Sequence, residues 1–110
     1  MGEAVQRSRI SISEPAQGRV VVTGELTFGT AREARQLGLL VLESSQSQRI
    51  VVDCAAVTRA DSAGLAVLLD WLAWARRRSR AIALENLPAS LVAIARISEV
   101  EGLLLPESAA

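Results

Sequence analysis

Ile50-Val51-Val52-Asp53 and, after an intervening stretch, Asp61-Ser62-Ala63-Gly64-Leu65 carry most of the structural information in this chain. The first is a short, continuously apolar run of the kind buried on both faces of a sheet, and a strand is expected over residues 49–53. The second opens a leucine-rich helical pattern, expected over residues 62–78, with residues 54–60 as the loop between them. A strand feeding a helix start sets one small hydroxyl, Ser62, where free backbone N–H groups gather. Such a place suits phosphate and suits being read by a partner protein.

Working outward, residues 9–13 alternate polar and β-branched types, and Arg-Val-Val-Val-Thr-Gly-Glu-Leu over residues 19–26 is a strong strand signal. Residues 15–18 supply a turn, so the pair reads as a hairpin. Thr30 followed by Glu33 has the pattern of a capping box, and Ala34, Leu37, Leu40 and Val41 recur at helical spacing until Ser44-Ser45 ends the run. A strand over residues 81–85 precedes a third helix opened by Pro88, with Leu91, Ile94 and Ala95 on its apolar face. Residues 103–105 read as a short strand or an extended cover, and residues 107–110 should fray. The order ββαβαβα predicts an α/β fold with a mixed sheet, because parallel neighbours need helical crossovers. One domain over residues 10–105, with tails at 1–9 and 106–110, accounts for the 110 residues.

Composition narrows the chemistry. Twelve basic residues balance twelve acidic ones, which argues against nucleic acid as the main partner. Every basic residue is Arg, and there is no His, the commonest general base and metal ligand. Cys54 is the only cysteine, so a disulfide framework, a thiolate metal cluster and a CxxC redox pair are excluded; after a buried strand it reads as a small apolar filler. No apolar run approaches the ~18 residues of a spanning helix, and residues 1–9 lack a signal-peptide core. The expectation is a cytoplasmic domain with no direct membrane insertion, no cofactor and no metal.

The second helix carries two apolar stripes. At about 100° per residue, Leu65, Leu68, Leu69 and Leu72 fall on one side, extended by the stem of Arg76, and read as the core face. Ala63, Val67, Trp71 and Trp74 fall near the opposite side, in a stripe that begins beside Ser62. A neighbouring helix could cover them. A domain built on one small sheet has little material to do so, and the expectation is an exposed protein-binding patch. Arg76, Arg77, Arg78 and Arg80 crowd the end of this helix, where cations complement the macrodipole.

Catalytic signatures are missing: no phosphate loop, no dinucleotide fingerprint, no HExxH and no Ser-His-Asp set. Asp53 and Asp61 could meet at one sheet edge and line a pocket, or serve as turn and cap residues. Ser62 alone could be a first-turn serine satisfying a free N–H.

Three segments together resemble the STAS domains of anti-sigma factor antagonists: Gly24-Glu25-Leu26 with Thr30-Ala31, Ile50-Val51-Val52-Asp53, and Asp61-Ser62-Ala63-Gly64-Leu65. The resemblance spans about residues 10–105. It implies a mixed sheet of four or five strands with helices mainly on one side, and a regulatory serine or threonine at the start of the second helix. In phosphoswitch members the modified residue stands just before the glycine, a position held here by Ala63. Gly24-Glu25-Leu26-Thr27-Phe28, Leu84-Glu85-Asn86-Leu87-Pro88 and Ile94-Ala95-Arg96-Ile97-Ser98-Glu99-Val100 resemble more closely the STAS subunits of phospholipid (Mla-type) ABC transporters. That branch implies a non-catalytic subunit, peripheral to the inner membrane, that binds and regulates the transporter's ATPase subunit and so serves outer-membrane lipid asymmetry. The contact residues it implies are Asp61, Ser62, Ala63 and Gly64, with Val67, Trp71 and Trp74 continuing the surface and Ser62 as the candidate phosphorylation site. The alternative is an anti-sigma factor antagonist that binds an anti-sigma kinase in a phosphorylation-controlled partner switch.

Overall fold

The structure, a computed structural model, describes residues 9–104. The expectations for residues 1–8, for the end of the cover at Leu105 and for the fraying of 107–110 lie outside the described residues.

Strands β1 (Ile10–Ala16), β2 (Arg19–Leu26), β3 (Arg49–Ala60) and β4 (Ala81–Glu85) form one sheet in sequence order. The β1–β2 hairpin is antiparallel, with Ile12 opposite Val22, and its tight turn lies at Gln17-Gly18, later than the 15–18 pattern suggests. β2, β3 and β4 run parallel, and their register lines up Val20, Val52 and Leu84, all buried, in one row across the sheet. The sheet is therefore mixed and four-stranded among the described residues.

The parallel pairs need crossovers, and α1 (Ala31–Ser44) and α2 (Ser62–Arg77) supply them. α1 packs on β1 and β2; α2 packs on β2, β3 and β4 and is flanked by α1 and α3 (Ala89–Ile97). The core lies between these helices and the sheet, with Ile10, Val22, Leu26, Ile50, Leu68 and Leu91 almost fully enclosed.

Several local expectations need correction. β3 runs on through residues 54–60, which the sequence suggests as a loop; there it pairs with β2 alone, through two irregularities of register, because β4 ends at Glu85. The Thr30–Glu33 capping box does not form. Thr30 turns inward, its hydroxyl donating to the carbonyl of Glu25 at 2.7 Å and accepting from the N–H of Thr27 at 3.0 Å, and caps nothing. It stitches the β2–α1 loop instead. Pro88 is the cap residue of α3 rather than its first helical residue. The cover expected at residues 103–105 is a short helix, α4 (Glu101–Leu104), whose Leu104 is buried.

The largest correction concerns α2. Trp71 and Trp74 are 1% and 3% exposed, and Val67 is 4% exposed, so the expected exposed patch is core. At about 100° per residue, Gly64, Leu68, Trp71 and Ala75 occupy the sector between the leucine and tryptophan stripes, and that sector is the centre of the buried face. Leu69 and Leu72 are only half-buried, while Ser62, Ala66 and Arg77 are exposed. The missing cover comes from α1, which approaches so closely at Gly38 that a Cβ there would stand 2.1 Å from Cζ2 of Trp71. A glycine lets the helix backbone rest on the indole. Trp74 is covered by cations: the guanidinium carbons of Arg78 and Arg80 lie 5.2 Å and 5.3 Å from its ring centroid. Arg80 also donates to the carbonyls of Leu42 at 3.2 Å, Ser45 at 3.1 Å and Ser47, satisfying the carbonyl end of α1. Part of the arginine cluster thus serves a neighbouring helix rather than its own.

Candidate functional site

The start of α2 is organised by Asp61. One carboxylate oxygen accepts the N–H groups of Ala63 (2.9 Å) and Gly64 (3.2 Å), and the other accepts the N–H of Phe28 (3.0 Å). A single side chain caps α2 and pins the β2–α1 loop beside it. These bonds, the one from Phe28 foremost, hold the Asp61 carboxyl below the usual carboxylate range against the opposing effect of burial. A depressed folded-state pKa contributes stability in full above the unfolded value and loses it as pH falls through the folded one. Asp61→Asn should therefore cost about 1–2 kcal/mol at neutral pH. In urea melts followed against pH, the variant and parent curves should begin to converge only as the pH falls below about 4.

Because Asp61 is the cap, Ser62 is released from that duty. Its side chain is exposed and makes no hydrogen bond among the described residues. Ala63 is half-buried beside it. Gly64 is buried: a Cβ there would fall 2.0 Å from the carbonyl oxygen of Leu26, so the glycine serves the contact of α2 with β2. Of the seven residues expected at a partner surface, Ser62 and Ala63 face outward, Asp61 organises them, and Gly64, Trp71 and Trp74 lie beneath. Val67 is nearly enclosed but reaches the wall of a groove.

That groove, about 450 Å3 in volume, runs between the starts of α1 and α2. Its lining is small and apolar, from Ala31, Ala63, Ala66 and Val67. Around it stand Phe28, Arg32 and the ion-paired Arg35 and Asp70. Phe28 is 85% exposed, although its backbone is fixed by Asp61 and its loop by Thr30. Phe28, Arg32 and Ala66 belong to no contact stripe expected from the sequence. The available signal was the chain's one phenylalanine, set in a loop outside any periodic run.

Asp53 and Asp61 do not meet. The extended residues 54–60 separate them, on the order of 25 Å at strand spacing. Asp53 accepts from Asn86 (3.0 Å), from the N–H of Ala55 (2.9 Å) and from Arg19 (2.9 Å), which also pairs with Glu85. Asn86 and the Ala55 N–H are foremost in lowering the Asp53 pKa. This knot ties off the ladder where β4 ends, and the two-aspartate pocket is not formed. Burial pushes the Cys54 thiol up to about 12, leaving it protonated and unreactive at neutral pH.

Among curated proteins, none matches this sequence. Solved structures do. The unphosphorylated anti-sigma factor antagonist SpoIIAA is similar over 90% of each chain, at 14% identity and a TM-score of 0.66. A chain of the Acinetobacter MlaFEDB complex, in its ATP-bound Vtrans2 conformation, is similar over 80% of this chain and 93% of its own, at 25% identity and a TM-score of 0.67. SLC26A9 is similar over 77% of this chain but only 16% of its own, at 17% identity and a TM-score of 0.59. The family described as "Mlab, STAS domain" matches residues 11–106, nearly the whole described fold, and the chain belongs to this STAS-domain family.

Proposed function

We propose that this chain is a non-catalytic accessory subunit that binds and regulates the ATPase subunit of a phospholipid (Mla-type) ABC transporter, through the start of α2. The observation that carries the reading is the likeness, at 25% identity across most of both chains, to a component of the MlaFEDB complex. The site supports it: an exposed Ser62 at the tip of a capped helix, beside a groove and an exposed aromatic, suits docking. The transporter's nucleotide chemistry then belongs to the partner, and the chain sits at the cytoplasmic side of the inner membrane through that partner. Among the described residues no helix is long and apolar enough to cross a membrane. Binding regulates the ATPase to the extent that it favours one of the ATPase's states over another.

The test is direct binding of the purified chain to the purified ATPase subunit. Ser62→Arg should weaken it at least about tenfold with an unchanged melting temperature, because Ser62 is exposed. Phosphate on Ser62 would add up to about two negative charges at the same contact. Absence of binding by the parent chain would overturn the reading. The likeness to SpoIIAA supports a second one, antagonism of an anti-sigma kinase; stoichiometric binding of such a kinase, with the ATPase ignored, would select it.

A further inference from the structure

The exposed face next to Ser62 has a chemistry of its own. Phe28 is the most exposed large apolar side chain among the described residues, yet its backbone N–H is locked to Asp61 and the loop beneath it is stitched by Thr30. With the backbone already fixed, covering the ring costs only the rotamer freedom of one side chain. Beside it lies a groove walled by alanines, wide enough for a side chain and filled by none from the described residues.

The ion pairing at its rim is incomplete. Arg35 is matched by Asp70, whereas Arg32, on the first turn of α1, has no acidic partner among the described residues. Nearby, Arg9 is paired with Glu25, and the Asp61 carboxylate is occupied by three N–H groups. Arg32 is thus the guanidinium of the rim that has no ion-pair partner among the described residues, and it stands close to the start of α2.

We infer that Phe28 and the α1–α2 groove together grip one segment of the ATPase subunit, a segment that carries an apolar side chain and, within a helical turn of it, a carboxylate. The apolar side chain fills the alanine-walled groove, the carboxylate pairs with Arg32, and Phe28 inserts into the partner's surface. The occupant follows from charge complementarity and from continuity with the Ser62 contact. The inference rests on the proposed pairing with the ATPase and adds where on this chain, and with what chemistry, the grip is made.

The experiment measures association and dissociation rates between the purified chain and the purified ATPase subunit at low and high salt. Phe28→Ala and Ala66→Trp, the second of which plugs the groove from an exposed position, should each weaken binding at least about tenfold, mainly through faster dissociation. Arg32→Glu should slow association and remove its salt dependence. Ile97→Ala, which changes an equally exposed apolar residue on α3, should bind as the parent does, and all four variants should melt with the parent. If Ser62→Arg weakens binding while Phe28→Ala and Ala66→Trp leave it within twofold, the ATPase reading stands and this inference falls. Loss at Phe28 and Ala66 with no change at Arg32 overturns the acidic segment. Self-association of the parent chain, broken by Phe28→Ala with ATPase binding intact, assigns the face to a second copy and overturns it too. If the parent does not bind the ATPase at all, the reading falls and takes this inference with it.

Discussion

Trp71→Ala should destabilise the domain by about 3–5 kcal/mol, a large share of the roughly 5–15 kcal/mol that holds a domain of this size together. The indole is 1% exposed and lies against the backbone of α1 at Gly38, so its removal opens a void between two helices that cannot close without moving both. Its Nε1 has no hydrogen-bond partner among the described residues, so the loss is one of packing and apolar burial. Trp71→Phe should for that reason recover much of the stability: the ring that fills the space is largely kept and the unpartnered N–H is removed. Thermal melting separates this from a surface role. A drop of the order of 15 °C or more is expected for the alanine variant, whereas an exposed docking tryptophan would leave the melting temperature of the isolated chain where it was.

Gly64→Ala is the second large effect. A Cβ at this position would meet the carbonyl oxygen of Leu26 at 2.0 Å and its carbonyl carbon at 2.7 Å, and those are backbone atoms of a strand hydrogen-bonded to its neighbours. Neither can turn aside as a flexible side chain would. α2 must lift away from β2, and the displacement strains the bonds that Asp61 makes to α2 and to Phe28. A cost of about 3 kcal/mol is expected, at the upper end for overpacking, in urea unfolding of the isolated chain. Were Gly64 only a contact for a partner, the same substitution would leave unfolding unchanged and alter binding alone.

Much of this fold is legible in local pattern. The strand over residues 19–26, the strand over 81–85 and the break at Ser44-Ser45 are where the sequence places them, because β-branched runs, turn residues and helical periodicity act within a few neighbours. The tail of β3 is not legible. Residues 54–60 are small or polar and carry no alternation, since they pair on one side only, and their conformation is imposed by β2. Thr30 illustrates the same limit: its sequence context is that of a helix cap, but the carbonyl of Glu25 offers its hydroxyl a better-placed partner.

The run from Ile50 to Asp53 and the start at Asp61 by themselves determined that this chain is an α/β domain in which a buried strand leads to a long second helix. Only the tertiary structure decided which side of that helix is the outside. Helical spacing reports that two apolar stripes exist, but which sector is buried depends on how closely a second helix can approach. Here a single glycine at position 38 lets α1 cover Trp71, and Arg78 and Arg80 cover Trp74, which leaves Ser62, Ala66 and the groove beside Phe28 as the face that remains open.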